Sequence, residues 1–173
     1  MIKELKHRSI EKHDFGQICQ FPQNAEELFF MFPKAEYPLT ESQLESAINS
    51  RFDSTVILFN DIIVGFANFY EVKNSQYASI GNVVVDANYR NLGIGKYLIQ
   101  TMEQIAIEKY SVSEFHLSCF NTNTKGILLY SKLGYIPYET EKWLNPQNES
   151  LALIKMKKRM SSNSLCQQKL IQI

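Results

Sequence analysis

The sequence predicts an α/β fold of the α+β kind, with a central mixed, mostly antiparallel sheet of six to seven strands flanked by helices. Three observations predict it. β-Branched and aromatic runs at 54–59, 62–72 and 77–85 are separated only by short turn formers, so three strands follow one another antiparallel. The segment 93–110 places Leu98, Met102, Ile105 and Ala106 on one face, the spacing of a helix lying on a sheet. A strand over 115–120 follows that helix, and a strand after a crossover helix lies parallel to the one before it.

In chain order, residues 2–10 alternate and read as an edge strand. Residues 13–49 are helix and loop, broken at Pro22, Pro33 and Pro38. Thr40 with Gln43 three residues on marks a helix start, and Leu44, Ala47 and Ile48 form its apolar stripe. Phe21, Phe29, Phe30, Phe32 and Tyr37 concentrate here and read first as packing, second as an aromatic substrate wall. Asn60-Asp61 and 74–76 are the turns between the first three central strands. Residues 124–133 suit a short helix ended by Gly134 as its C′ residue, and 135–140 and 151–157 are two closing strands. One domain, 1–158, accounts for these elements. The tail 159–173 has no clear period and is either disordered or packed on a neighbour.

Composition narrows the partners. The chain has 173 residues, enough for one sizeable core, with 18 Lys plus Arg against 18 Asp plus Glu. A zero formal charge offers no basic excess for nucleic acid, so any anionic ligand is held locally. Cys19, Cys119 and Cys166 have no CxxC or Cys/His spacing, which predicts free thiols and no metal. The charged N-terminus lacks the apolar run of a signal peptide, and no segment approaches the roughly 18 apolar residues of a membrane span. The expectation is a cytoplasmic protein with no membrane partner, either monomer or homodimer.

The chemistry concentrates where the strand at 80–85 runs through a turn into Arg90-x-x-Gly93-x-Gly95 and then a helix. The first N–H groups of a helix have no intrahelical partner and sit at its positive end, where phosphate binds. Gly93 and Gly95 let an anion approach the main chain, and Arg90 and Lys96 flank it with positive charge. A dinucleotide fingerprint fails because Leu98 stands where its third glycine belongs, although Glu114 follows at about the distance of a ribose-binding acid. A Walker loop fails because Arg90 occupies its first glycine position and Tyr97 follows Lys96.

A second segment, Asn123-x-x-Gly126-x-x-x-Tyr130-x-x-x-Gly134-Tyr135, completes a pair of motifs. Together they resemble the two signature segments of the GNAT superfamily of acyl-CoA-dependent N-acetyltransferases, with Gly126 in place of the usual Ala. The resemblance implies that acetyl-CoA is a cosubstrate and an amine the acceptor. It puts the pyrophosphate on Arg90, Asn91, Leu92, Gly93, Ile94, Gly95 and Lys96, and the pantetheine arm beside Val83, Val84 and Val85. It further implies that the strands at 80–85 and 115–120 splay apart, freeing main-chain groups for that arm. A main-chain N–H near 83–85 would stabilise the developing oxyanion, a role worth about 3 kcal/mol. Asn123 would anchor the arm or the loop, or else cap the helix. Tyr130 is implied as the general acid that protonates the leaving thiolate, and a phenol with a pKa of about 10 suits that task.

The general base is where the sequence departs from many relatives, which carry a Glu on the central strand. Here Ser79, Gly81 and Asn82 stand in that place. A water chain, Glu26, Glu36, Glu71 or His116 remain for the role, an imidazole being able to take a proton near neutrality. Glu26, Glu27, Glu36, Glu139 and Glu141 could together form an acidic cleft for a cationic acceptor. The expected function is transfer of acetyl from acetyl-CoA to a primary amine, of a small molecule or a protein N-terminus, by direct attack in a ternary complex. The rivals are a non-catalytic acyl-CoA sensor or interaction module of the same fold and, more distantly, a nucleotide-binding regulatory domain.

Overall fold

A computed structural model describes residues 4–160, and its sheet begins with short-range chemistry. Asn60 and Asp61 both have positive φ, 50° and 65°, the type I′ geometry whose twist suits a hairpin. They join β2 (Phe52–Phe59) to β3 (Ile62–Lys73). Ser75, at φ 62°, helps turn the chain into β4 (Tyr77–Val85), and β1 (Leu5–Ser9) lies along β2. All of these neighbours are antiparallel. Helix α4 (Ile94–Tyr110) then crosses to β5 (Glu114–Phe120), which pairs parallel with β4.

The closing strands are β6 (Ile136–Leu144) and β7 (Ser150–Arg159). The last strand inserts beside β5, so seven strands run in the order β1-β2-β3-β4-β5-β7-β6. The predicted mixed sheet with one parallel pair is the sheet found. Strand β6 runs to Leu144 rather than ending at 140, because its partners on β7 continue to Ser150. The expectations for Cys166 and for most of the tail fall outside the described residues. Among those residues no helix is long and apolar enough to cross a membrane.

Helices cover both faces. On one, Leu98, Ile99, Met102 and Ala106 of α4 pack with Phe69, Ala78, Ile80, Phe115 and Leu117. On the other lie α1 (Phe15–Ile18), α2 (Ala25–Met31) and α3 (Glu41–Asn49), where Ile18, Leu28, Met31 and Leu44 meet Val56, Phe66 and Val84. Thr40 accepts a hydrogen bond from the Gln43 N–H and starts α3 as its spacing predicts. Of the early aromatics, Phe21 and Phe29 are buried, Phe30 and Phe32 half-buried, and Tyr37 exposed. Phe29 stacks on Phe120 with ring centroids 4.5 Å apart, so this group is chiefly packing.

The parallel pair is short. Tyr77, Ala78 and Ser79 pair with Glu114, Phe115 and His116, and no register continues beyond them. Strand β4 stays with β3 to Val85, while β5 stays with β7 to Phe120. A bulge accompanies the parting. Between the pairs Asn68↔Gly81 and Phe66↔Val84, β3 supplies Ala67 while β4 supplies both Asn82 and Val83. Asn82 adopts φ 49°, which asparagine tolerates better than most residues. Its amide donates to the Met31 carbonyl at 2.9 Å and accepts from Asn68 at 3.0 Å, tying the bulge to α2. A bulge bends its strand, and here it leaves a gap between β4 and β5.

Helix α5 (Thr124–Lys132) closes one side of that gap. The Asn123 side chain accepts from the Gly126 N–H at 3.0 Å, so asparagine is the N-cap. Gly134, at φ 91°, is the left-handed C′ residue, with the N–H groups of Gly134 and Tyr135 donating to Ser131 and Tyr130 in a Schellman motif. Gly126 is explained by crowding, because a Cβ there would stand 2.8 Å from Asn123 Nδ2 and 2.9 Å from Cys119 Sγ. Gly126→Ala should therefore lose stability, and a Cys119→Ala background should recover part of that loss by removing the sulfur contact while the one with Asn123 stays. Denaturant unfolding of the four proteins should give a coupling of about 1 kcal/mol; additive effects would contradict this packing.

Candidate active site

The site is built from the end of β4 upward. After Val85, the Asp86 carboxylate accepts from the Asn88 N–H at 2.9 Å and shapes the turn. Asn91 has φ 63°, and Gly93, at φ 83°, is the N-cap of α4. No side chain caps this helix. The N–H groups of Ile94, Gly95 and Lys96 are consequently open at the positive end of a 17-residue helix. Lys96 and Leu92 are exposed around them, and Ile94 is buried beneath. A Cβ on Gly95 would lie 3.1 Å from Leu129 Cδ2 and 3.9 Å from Val85 Cγ2. The start of α4, the end of β4 and the middle of α5 thus meet at one point.

Arg90 is not free to serve as the flanking cation read from the sequence. Its Nη1 and Nη2 donate to the two Glu27 carboxylate oxygens at 2.7 and 2.8 Å, and its Nε donates to the Val85 carbonyl at 3.2 Å. This fork clasps α2 to the loop. Arg90 holds the Glu27 carboxyl below the usual carboxylate range, and Glu27 raises the guanidinium in turn.

Val83 and Val85 are half-buried and Val84 is buried against the α1–α3 layer. Their strand borders the gap. On α5, Tyr130 is 7% exposed, its ring 6.2 Å from that of Tyr135 in an edge arrangement. Tyr135 is held by Glu103, which accepts from its hydroxyl at 2.8 Å and from Lys158 at 2.8 Å. The Tyr130 hydroxyl has no hydrogen-bond partner among the described residues. Burial pushes its pKa up and the neighbouring Cys119 adds to the effect, so it stays protonated. Burial also pushes the Cys119 thiol up to about 12, which makes it an inert neighbour rather than a nucleophile.

His116 is registered with Ser79, the last pair of the closed end before the strands part, stacked 4.4 Å from the Tyr77 ring and 2.7 Å from Glu114 Oε1. Cys119 packs on the α4 face of β5, whereas His116 faces the other way. Glu71 accepts from the Tyr77 hydroxyl near the same closed end, and Glu36 is exposed. Glu26 lines a cavity of about 230 Å³ with Phe29, Phe30, Asn145 and Glu149.

The acidic cleft expected from the sequence is partly ion-paired, with two cations set against three of its five carboxylates and no ion pair on Glu26 or Glu36 among the described residues. Glu27 is taken by Arg90, and Glu139 and Glu141 by Lys155 at 2.9 and 3.3 Å. Sequence reading missed these pairings because their members are far apart in the chain. It also passed over Asn68, whose polarity within an apolar strand run was an available signal.

Three comparisons bear on this arrangement. The profile of the family described as Acetyltransferase (GNAT) family matches residues 20–135. An N-alpha-acetyltransferase from Sulfurisphaera tokodaii is 28% identical over 141 residues, covering 77% of this chain and 81% of that protein. The ribosomal-protein-S18-alanine N-acetyltransferase of Escherichia coli has a similar fold, with a TM-score of 0.70 at 22% identity over 91% of this chain and 95% of the other. So does a spermidine N-acetyltransferase from Vibrio cholerae crystallised with CoA and spermine, with a TM-score of 0.73 at 17% identity over 90% and 95%.

Proposed function

Because the chain belongs to the acetyltransferase (GNAT) family, we propose that it transfers acetyl from acetyl-CoA to a primary amine by direct attack in a ternary complex. The observation that carries this reading is the uncapped N-terminus of α4 opening beside the β4–β5 gap. A phosphate cradle there adjoins the edge of β4 that β5 leaves unpaired.

Acetyl-CoA supplies the acyl thioester. The open N–H groups of Ile94, Gly95 and Lys96 would hold its pyrophosphate, with Arg90, Asn91, Leu92 and Gly93 forming the surrounding loop and Lys96 adding charge. Val83, Val84 and Val85 would pair with the amide-bearing arm as a strand edge does. A main-chain N–H of that stretch would face the developing oxyanion. Tyr130, protonated and without a hydrogen-bond partner among the described residues, would give a proton to the leaving thiolate. Asn123 acts by fixing the start of the helix that carries Tyr130. The amine's own proton would pass to a water chain or to His116, which lies at the last paired register before the gap.

Calorimetry with acetyl-CoA, CoA and NAD, followed by thiol release against a panel of amines, tests this directly. Acetyl-CoA binding and acceptor-dependent release are expected. Binding of NAD but not CoA, or acetyl-CoA binding with no turnover on any amine, would overturn it.

The Arg90–Glu27 clasp adds a prediction. One guanidinium fork cannot grip a carboxylate and a phosphate bidentately at once, so Glu27 competes with the pyrophosphate for Arg90. Glu27→Gln should tighten acetyl-CoA binding several-fold by calorimetry while lowering unfolding stability by about 1 kcal/mol, since the pair is partly exposed. The lowered Glu27 pKa means this stabilisation is present above the unfolded value of about 4.3 and is lost as pH falls through the folded one. Weaker acetyl-CoA binding in Glu27→Gln would instead show that the clasp presets Arg90 for the ligand.

A further inference from the structure

Arg51 sits between the end of α3 and the start of β2, its N–H donating to the Ile48 carbonyl at 3.0 Å. Its guanidinium lies 5.5 Å over the Tyr70 ring, on the sheet face that also bears Tyr77, His116 and Phe120. Gly81 lies directly beneath, and a Cβ there would come within 3.1 Å of Arg51 Nη1 and 2.9 Å of the Tyr70 ring. Glycine thus allows a cation to rest against β4 at the first residues beyond its pairing with β5.

Arg51 has no ion-pair or hydrogen-bond partner for its guanidinium among the described residues. It is half-buried, and burial lowers its pKa with no carboxylate to offset the effect. Arg90, Arg8, Lys155 and Arg159 are each ion-paired, to Glu27, Asp14, Glu139 with Glu141, and Glu114, whereas Lys73 lies over the Tyr77 ring without an ion pair but is exposed and farther from the gap. A guanidinium held by an aromatic ring and left without an anion is poised to receive one.

Its position says which anion. Only the bulged Asn82 separates Gly81 from Val83, at most about 7 Å along the strand, and Val83 begins the stretch where acetyl transfer is placed. We propose that Arg51 is an anion subsite for the acceptor, so that the amine acetylated by this chain carries a carboxylate close to its reacting nitrogen. This rests on the reading of the β4–β5 gap as the transfer site. It differs from the cationic acceptor suggested by the acidic cleft read from the sequence, three of whose five carboxylates are ion-paired.

Such a carboxylate belongs either to a free amino acid or to an acidic side chain near a peptide N-terminus. The test has one arm for each: amino acids against their α-carboxamides, and amidated peptides with Asp or Glu at the second position against Asn or Gln. In at least one arm the carboxylate member should show kcat/KM higher by about 10- to 100-fold, the range of a charge-assisted hydrogen bond. That ratio should fall to about one in Arg51→Gln, be partly kept in Arg51→Lys, and shift toward Lys-bearing peptides in Arg51→Glu. Because each ratio compares two acceptors on one enzyme, a partly unfolded variant does not distort it.

Calorimetric binding of the same pairs to the CoA-loaded protein reads the subsite without turnover. Arg51-dependent carboxylate binding without transfer to any amine would refute acetyl transfer and leave the anion site standing. No carboxylate preference in either arm, by rate or by binding, or a preference surviving Arg51→Gln, would overturn the anion site alone.

Discussion

Gly95→Glu should raise the dissociation constant for acetyl-CoA by at least about 100-fold while leaving the protein folded. The new carboxylate would sit in the first turn of α4, where three main-chain N–H groups and the positive end of the helix face no other side chain. A negative charge in a first turn stabilises its own helix by about 0.3–1 kcal/mol. The substitution therefore fills the cradle with an anion that belongs to the chain. Against this, the added Cβ presses on Leu129 Cδ2 at 3.1 Å, the flexible end of a side chain, which must give by a few tenths of an ångström.

The two effects on stability oppose each other, so the unfolding midpoint should move little. Binding should be lost through charge repulsion and through occupation of the point where α4, β4 and α5 meet. Gly95→Gln separates the causes: it keeps the volume, drops the charge and should retain part of the affinity. Calorimetry on the three proteins decides the matter. Unchanged affinity in Gly95→Glu would move the pyrophosphate away from this helix start.

That cradle was legible in the sequence because every part of it is local. Strand, turn, glycines and helix periodicity lie within one stretch, and the same holds for the Asn60-Asp61 hairpin and the Gly134 helix stop. The occupation of Arg90 was not legible, because Glu27 comes from a helix 63 positions earlier. Nor was the sharing of Lys155 by Glu139 and Glu141, which depends on β7 inserting beside β5 and carrying Lys155 alongside β6. Charge counted along a chain says little about a cleft until strand order sets which charges face each other. Asn82 illustrates a middle case. A polar residue in an apolar strand stood out as a missing carboxylate, but its role as the left-handed residue of a bulge requires the partner strand and Met31. Arg51 gave no local signal at all, since its meaning comes from Gly81 and Tyr70 on two other strands.

Tyr130→Phe should lower kcat by about 10- to 100-fold and leave acetyl-CoA affinity within about twofold. The effect sits at or below the low end for a general acid because the leaving thiol, with a pKa of about 8.5, departs readily without help. Structural damage should be slight. The hydroxyl has no hydrogen-bond partner among the described residues, so its removal strands no buried donor or acceptor. The ring keeps its edge contact with Tyr135, whose own hydroxyl is fixed by Glu103. Stability and turnover should therefore separate, with the unfolding midpoint nearly constant while kcat falls.

The pH profile adds a second readout. Burial raises the Tyr130 pKa above that of a free phenol, and a raised pKa means the acid keeps its proton to higher pH. The wild-type kcat should accordingly show no falling limb below about pH 10. In Tyr130→Phe the proton must reach the thiolate from water, so the loss should be a uniform displacement of the profile across neutral pH. If turnover were unchanged, water would already be the proton source, and the buried phenol would serve only to pack α5 against Cys119 and Tyr135.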